Sequence, residues 1–325
     1  MNLRSIFFKA LGAGALGLAL AATAAAQSYP QRPIRLIVTF GPGSGADTIG
    51  RILGERLSEQ LKTSVVVENR EGAGGAIGAA VAARAPADGY TLMLGATTMT
   101  VTPYMQTAPQ YDPVKDFVPV VKVAELPLML IAGENAPYKN LNELVAYARA
   151  NPGKLSYATS GKGSPSHLGI ELIRQATHID VRDVPYKNVG QAMTDTLSGQ
   201  VSFYFPAVTG ALPQVTAGKA RGLAIGATQR SSQAPEVQTV AEQLGVSGLE
   251  VITWYGLFAP AGTPKDIVDR LYAETAKIMK SEEVRERIRK TGADVALAAP
   301  QAFAAQVHAD TEKYSKLVRD LGLKE

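Results

Sequence analysis

The sequence predicts an α/β protein of two lobes, each a mostly parallel sheet flanked by helices. Over the first hundred residues of the mature chain, apolar β-branched runs alternate with amphipathic helical segments, and short connections between them predict a parallel sheet covered by helices. About 300 residues remain after an N-terminal export segment, which is large for a single core. A unit of strand, glycine loop and helix occurs twice, roughly 120 residues apart, and this repetition predicts one unit in each lobe.

The N-terminal segment has the features of a secretory signal peptide. Arg4 and Lys9 precede an apolar run of about a dozen residues, and three alanines ending at Ala26 form a small-residue cleavage site. The apolar run is too short and wrongly flanked for a stable membrane span. We therefore expect residues 1–26 to be removed after Ala26, and the mature protein to be soluble in the periplasm.

Composition excludes several classes of protein. Of the 33 basic residues, Arg4 and Lys9 lie in the export segment, which leaves 31 against 29 acidic residues. These charges are scattered and aromatic residues make up only 6%, so nucleic-acid binding is not expected. The chain has no cysteine, which excludes disulfides, zinc–thiolate sites and a cysteine nucleophile.

The first lobe is expected to comprise residues 27–124 and 249–325. The run from Ile34 to Phe40 predicts a buried strand. Residues 41–45 hold three glycines and predict a tight loop, and a helix follows with Asp47 as its N-cap. The remaining elements predicted for this lobe are strands at 64–67, 90–94, 118–123 and 251–260 and helices at 76–84, 267–279, 282–290 and 300–321.

The second lobe is expected to comprise residues 125–248. Residues 155–160 predict a strand, followed by a glycine loop and a helix with Ser164 as N-cap and Pro165 at its first position. This arrangement repeats that of the first lobe. Residues 126–132 form an apolar run, and the other predicted elements are strands at 183–186, 201–205 and 222–227 and helices at 140–149, at 191–197, after Ala207 and at 237–244.

The two glycine loops predict a site for an anion. The first N–H groups of a helix have no partner within the helix, and the helix dipole adds about half a positive charge there. Two such loops in two lobes predict a cleft between opposing helix N-termini, which suits a small anion. The alternative is that each glycine loop only reverses the chain between a strand and a helix.

The sequence does not complete the motifs of nucleotide-binding proteins, hydrolases or metal sites. Neither Gly161-Lys162-Gly163 nor Gly218-Lys219-Ala220 completes a P-loop, and the spacing of glycines from Gly41 does not match a dinucleotide fingerprint. No G-x-S-x-G motif or cluster of metal ligands is present, so we expect no enzyme, cofactor or metal. His167, in the first turn of the second-lobe helix, is expected either to donate a hydrogen bond to an anionic ligand or to serve in packing or capping.

Six segments of the mature chain form a recognisable set: Pro33 to Asp47, Glu68 to Gly75, Asp88 to Leu92, Tyr157 to Leu168, Val184 to Lys187 and Trp254 to Pro264. Together they resemble the periplasmic solute receptors of tripartite tricarboxylate transporters, the Bug or TctC-like family. Any one segment is a weak signal, but their order and spacing over nearly all of the mature chain are specific. One departure lies in the first glycine loop, where many members have two prolines followed by two glycines and this chain has Gly41-Pro42-Gly43-Ser44-Gly45.

The resemblance implies a Venus-flytrap fold of the type II binding-protein kind, a small carboxylate or dicarboxylate as ligand, and permease subunits in the membrane as partners. Phe40 and Phe205 could sandwich an aromatic acid, although both could equally belong to the core. Asp47 is expected to rigidify its loop as an N-cap. The ligand residues expected from the family and from neighbouring loops are Phe40, Ser44, Gly45, Ala46, Asp47, Thr97, Thr98, Ser160, Ser164, His167, Asn188 and Phe205.

Two alternatives remain open at this point. A sensory receptor that feeds a signalling partner would have the same sequence features as a transport receptor. A secreted α/β enzyme would need a nucleophile and a base, and no such pair is visible. The protein is expected to act as a monomer.

Overall fold

The computed structural model describes residues 29–324 except 187, 232, 247, 248 and 250, so the expected signal peptide lies outside the described residues. The strands of this part are β1 (Ile34–Val38), β2 (Val65–Asn69), β3 (Thr91–Ala96), β4 (Phe117–Pro127), β5 (Met129–Gly133), β6 (Leu155–Thr159), β7 (Val181–Pro185), β8 (Phe203–Tyr204), β9 (Ala220–Ile225), β10 (Ile252–Pro260) and β11 (Asp294–Ala298). Its α-helices are α1 (Gly45–Leu61), α2 (Ala76–Ala83), α3 (Thr102–Met105), α4 (Leu141–Ala150), α5 (Pro165–Thr177), α6 (Val189–Leu197), α7 (Val208–Thr216), α8 (Val240–Leu244), α9 (Lys265–Ile278), α10 (Glu282–Arg289) and α11 (Pro300–Asp320).

The first lobe is built on a sheet with the strand order β11-β4-β10-β3-β1-β2. Strand β1 is parallel to β2 and β3, whereas β10 is antiparallel to both of its neighbours. Strands β1 to β4 therefore point in one direction, and β10 and β11 in the other. The edge strand β11 was not predicted, because its residues alternate only weakly between buried and exposed positions.

The second lobe is built on a sheet with the order β7-β6-β8-β5-β9. Here β6 is parallel to β7 and β8, and β5 is antiparallel to β8 and β9. The predicted two-lobed α/β fold is confirmed, but each sheet has an antiparallel strand in its interior. In both lobes that strand, β5 or β10, is the one that the chain enters on crossing from the other lobe.

The two crossing segments lie side by side. Strand β10 pairs with β4 along its whole length, from Ile252 opposite Pro127 to Pro260 opposite Phe117. At the second lobe, the N–H of Gly226 donates to the carbonyl of Leu128 (2.9 Å), and the N–H of Val251 donates to the carbonyl of Gly226 (2.8 Å). This pair of strands is the connection about which the lobes can hinge.

Apolar faces predicted from the sequence are buried. The predicted face of α1 lies against the first sheet, and the predicted stripe of α11 is buried along its length. The beginning of α11 packs with Trp254 and Phe258 in the first lobe, while Tyr314, Leu317 and Val318 join the core of the second lobe. The lobe boundaries expected from the sequence stay a prediction.

Among the described residues, no helix has both the length and the apolar character needed to cross a membrane.

Candidate functional site

The first glycine loop, residues 40–47, connects β1 to α1. Gly43 has φ of +82°, a conformation that glycine adopts without steric cost. Helix α1 begins at Gly45, and the hydroxyl of Ser44 accepts a hydrogen bond from the Asp47 N–H (3.1 Å). The expectation that Asp47 is the N-cap is therefore wrong: Ser44 holds that position, and Asp47 is the third residue of the helix.

The carboxylate of Asp47 closes the first glycine loop from inside. It accepts hydrogen bonds from the Gly43 N–H (2.9 Å), from Asn69 (2.9 Å) and from Arg51 (3.0 Å). Burial alone would raise the pKa of this carboxyl, but these hydrogen bonds outweigh burial and lower its pKa below the ordinary value. With its oxygens engaged in this way, Asp47 fixes the loop and is not a donor to an anion.

Donors remain at the start of α1. The N–H groups of Gly45 and Ala46 are the first two of the helix and have no acceptor within it. Gly43 and Asp47 direct their own N–H groups into the loop. The first glycine loop thus leaves two adjacent backbone donors at the positive end of a helix of 17 residues.

The second glycine loop, residues 160–167, connects β6 to α5. The predictions made for its helix are confirmed, because Ser164 is the N-cap and Pro165 the first helical residue. The Ser164 hydroxyl accepts from the His167 N–H (3.3 Å), and the Gly163 N–H donates to Nδ1 of His167 (3.3 Å). A donor directed at Nδ1 leaves the proton of a neutral imidazole on Nε2, which can then donate to a ligand.

His167 is held in its neutral form. The residue is buried, and burial lowers the pKa of its imidazole below the usual value. Glu171 and Asp183 oppose this change, whereas Lys162 and Arg174 add to it. At neutral pH the imidazole therefore serves as a hydrogen-bond donor and not as a cation.

A serine that was not predicted organises the second glycine loop. The buried hydroxyl of Ser166 accepts from the N–H of Ser160 (3.3 Å) and lies 3.0 Å from the hydroxyl of Ser164 and 3.4 Å from that of Ser160. Its own N–H is the only one among the first two residues of α5, because Pro165 has none. A Ser-x-Ser pattern after a glycine loop could have drawn attention to it.

The two glycine loops belong to opposite lobes, and the second one contacts the first lobe. Gly163 packs against Met105 of the first lobe so closely that a Cβ on this glycine would lie 2.3 Å from the methionine sulfur. Met105 ends the segment that follows β3 and contains Thr97 and Thr98. The second glycine loop therefore contacts the first lobe next to the end of a first-lobe strand.

Thr97, Thr98 and Asn188 differ in what their side chains do. The buried Thr97 hydroxyl donates to the carbonyl of Ile252 (3.1 Å) and accepts from the Trp254 N–H (2.9 Å), so it fastens the end of β3 to the returning strand β10. Thr98 is half-buried, and its carbonyl accepts from Thr102. Asn188 is exposed and caps α6 with its Oδ1.

The two aromatic residues have different surroundings. Phe40 is half-buried beside the first glycine loop and packs against the first-lobe core. Phe205 is completely buried, and Cβ atoms built on Gly169 and Gly226 would lie 3.1 and 2.8 Å from its ring. The suggestion that Phe205 sandwiches a ligand is therefore corrected, since a ring without exposed surface has no face to offer.

A second groove, of about 720 Å³, lies between the lobes at the β11 edge of the first sheet. Several of its charged side chains form ion pairs, among them Lys122 with Glu125 (2.5 Å) and Arg230 with Glu242 (3.1 Å). None of its lining residues comes from the glycine loops. Within the described part of the chain, no group of three or more His, Asp or Glu side chains could hold a metal ion.

Comparison with known proteins identifies the family. The family model described as tripartite tricarboxylate transporter family receptor matches residues 49–323. The chain is 37% identical to the UPF0065 protein in the tcbD-tcbE intergenic region of Pseudomonas sp. strain P51, over 93% of this chain and 92% of that protein. It is 34% identical to BugT of Bordetella pertussis, over 94% of each chain.

Solved structures give the same result. A TctC solute-binding protein from Polaromonas without ligand has a TM-score of 0.82 at 28% identity, covering 90% of this chain and 100% of that one. R. palustris Rpa4515 with adipate has a TM-score of 0.71 at 32% identity (90% and 98%), and MatC from Rhodopseudomonas palustris with bound malate has 0.68 at 31% (89% and 100%). The family and the fold are those of solute-binding receptors and not of enzymes. The chain belongs to the receptor family of the tripartite tricarboxylate transporters and is a periplasmic-type solute receptor with the two-lobed fold of that family.

Proposed function

We propose that this receptor binds a small carboxylate or dicarboxylate between its lobes and delivers it to the membrane subunits of a tripartite tricarboxylate transporter. The observation that carries the proposal is the pair of glycine loops. Each presents a helix N-terminus from a different lobe, and each is closed by a side chain at the third helical position, Asp47 or His167. The adipate and malate bound by two related receptors are both dicarboxylates.

The donors on the two sides fit the two ends of such a ligand. The first lobe offers the N–H groups of Gly45 and Ala46, and the second lobe offers the N–H of Ser166 and Nε2 of His167. These donors carry no full positive charge, so a carboxylate would be held by dipoles and hydrogen bonds in place of an ion pair. Ser160 and Ser164 add hydroxyls at the edge of the second loop.

Ligand binding would favour closure of the lobes. A ligand shifts this equilibrium only by its greater affinity for the closed form, which a bridging dicarboxylate provides by contacting both loops at once.

The location and assembly are part of the same proposal. Export with cleavage after Ala26 would deliver a mature protein to the periplasm, where the receptor would meet its ligand and then the permease. The receptor would act as a monomer.

A thermal-shift screen of the mature protein tests the ligand class. The panel holds adipate, malate, citrate, glutamate and benzoate, with the diamide of adipic acid as a matched control without charge. A carboxylate at a hundred times its dissociation constant adds about 2.7 kcal/mol to the free energy of unfolding, whereas the diamide should add none. Equal stabilisation by the diamide, or none by any carboxylate, would overturn the proposed ligand class.

An uptake assay tests whether the receptor delivers its ligand to the transporter. Vesicles that contain the permease subunits should accumulate the selected carboxylate only when the receptor is added, and a receptor that binds the same carboxylate without promoting uptake would contradict the transport role.

A further inference from the structure

Tyr255 lies beside the start of α1 without having been singled out by the sequence. It is in the middle of β10, opposite Ala96 of β3 and Ala124 of β4. Its ring belongs to the first-lobe core, and only 7% of the residue is exposed. The hydroxyl at the end of this ring lies 3.6 Å from the position that a Cβ on Gly45 would occupy. The side chain therefore reaches from the centre of the sheet to the N-terminus of α1.

The hydroxyl of Tyr255 donates to no described residue, a feature that it shares with the buried Tyr204 and that contrasts with three other buried tyrosines. The buried Tyr111 donates to the carbonyl of Met99 (3.0 Å), Tyr138 to that of Ser202 (2.8 Å), and Tyr157 to Glu171 (2.6 Å). The Tyr255 hydroxyl is not one of the fully buried side-chain atoms that lack a partner among the described residues, so the end of this otherwise buried side chain remains accessible to solvent or to a ligand. It lies beside Gly45, the first residue of α1, whose N–H has no acceptor within the helix.

Burial also keeps this hydroxyl protonated. It raises the pKa of Tyr255 to about 12, so the phenol retains its proton throughout the physiological range. A neutral phenol beside Gly45 adds a third donor to the N–H groups of Gly45 and Ala46, and the nearby Asp47 carboxylate is already paired with Arg51 and Asn69. Oxygen atoms of a carboxylate are the natural acceptors for such a set.

We propose that Tyr255 contacts the ligand, its hydroxyl joining the N–H groups of Gly45 and Ala46 in binding one carboxylate group of the solute. This inference rests on the proposed function and deepens it, because it names a side chain in the middle of the first sheet as part of the carboxylate site. The position also links the site to the hinge: β10 is the strand that returns from the second lobe, and Thr97 is fastened to it three residues earlier, at Ile252.

The test compares the wild type with Tyr255→Phe by titration calorimetry. The probe is whichever of adipate, malate and benzoate binds the wild type most tightly. Removal of one hydrogen bond to a charged group should weaken binding by about tenfold to a hundredfold. The melting temperature of the free protein should not fall, because the ring still packs and no bond within the protein is lost.

Tyr138→Phe is the matched control. It removes the same atom from a buried tyrosine whose hydroxyl does bond within the protein, in the connection between β5 and α4 of the second lobe. We expect a lower melting temperature and an unchanged dissociation constant. The opposite behaviour of the two variants would separate a ligand contact from a general effect on packing.

Gly45→Ala is a second test of the contact between Tyr255 and the ligand. The added methyl would lie in ordinary contact with the Tyr255 hydroxyl, and Gly45 does not have a positive φ, so the fold should tolerate it. The methyl would occupy space next to the phenol and should weaken binding in the wild type more than in Tyr255→Phe.

The outcomes distinguish this inference from the proposed function. If the wild type binds a carboxylate and Tyr255→Phe binds it equally well, the inference is overturned while the proposed function stands. If the wild type binds none of the carboxylates, the proposed function fails first and the inference fails with it.

Discussion

The first and second glycine loops have the same construction in two different lobes. Both follow the pattern Gly-x-Gly-Ser-x-x-(Asp/His), and both have a serine N-cap and a glycine N–H that donates to the third helical residue. They differ in that third residue and in the one four positions later. Asp47 is followed by Arg51, whereas His167 is followed by Glu171.

This difference shows that the same loop backbone can be closed either by a carboxylate or by a neutral imidazole. In the first loop, a buried carboxylate is compensated by Arg51 and Asn69. In the second, Glu171 is itself buried and accepts from Tyr157 (2.6 Å) and Arg174 (2.8 Å), so a second carboxylate nearby would be unfavourable. A neutral imidazole closes that loop and leaves Nε2 for the ligand.

The largest expected effect comes from Asp47→Ala, which opens the first loop. It removes the acceptor of three hydrogen bonds and leaves donors of Gly43 and Asn69 unpaired, so the free energy of unfolding should fall by about 3 kcal/mol. Urea denaturation of the free protein measures this change. His167→Ala serves as the comparison and should cost less, because it removes a single long hydrogen bond; an equal or larger cost there would contradict the difference between the loops.

His167→Asp would give the second loop the residue of the first. The new carboxylate would lie one turn from Glu171 without an equivalent of Arg51, so we expect a loss of about 2 kcal/mol at pH 7. The loss should shrink at pH 4.5, where protonation relieves the repulsion. Urea denaturation at both pH values checks this expectation, and a loss that does not depend on pH would argue against repulsion as its cause.

The N-caps should behave alike in the two loops. Ser44→Ala and Ser164→Ala each remove one capping hydrogen bond and should each lower the free energy of unfolding by about 1 kcal/mol. Thermal denaturation of the two variants, measured in parallel with the wild type, checks whether the two losses are equal. Ser44→Asp, which retains a cap acceptor, should restore most of the stability, and its failure to do so would point to a different role for the hydroxyl.

The smallest effect is a dependence of stability on pH. Because the pKa of His167 is lowered in the folded protein, its contribution is complete above the ordinary value of 6.5 and is lost as the pH falls from there through the folded pKa. The contribution of Asp47, whose pKa is also lowered, is lost only below about pH 4, the ordinary range of a carboxyl. His167→Gln should remove the first decline and keep the second, as unfolding curves from pH 7.5 to 3 would reveal.

The sequence predicts those parts of the fold that local patterns determine. The order of strands and helices, the N-cap at Ser164 and the buried stripe of α11 follow from periodicity and capping preferences alone. The N-cap of α1 could not be assigned with the same certainty, because Ser44 and Asp47 are both good caps and both lie near the helix start. The choice depends on where the chain enters its first turn after Gly43, which is a three-dimensional property of the loop.

Parts that depend on distant residues were not predictable. Thr97 was expected to face the ligand, but the partners of its hydroxyl are more than 150 residues away in β10. The sequence did not single out Tyr255 as a ligand residue, because a tyrosine in an apolar strand is normally assigned to the core. Its position beside α1 depends on the insertion of β10 between β3 and β4, a strand order that the sequence pattern does not determine. Ser166 became informative only once the loop geometry was known.

The insertion of β10 also determines when the first lobe can fold. This interior strand lies next to β3 in space, but about 150 residues separate the two along the chain, and the whole of the second lobe lies between them. Such distant pairing slows folding, since a long loop must close before the contacts form. During synthesis, β3 and β4 lack the strand that lies between them until residue 260 has left the ribosome, and the edge strand β11 follows later still. The strand order thus delays completion of the first lobe, which would suit the export proposed above for this receptor.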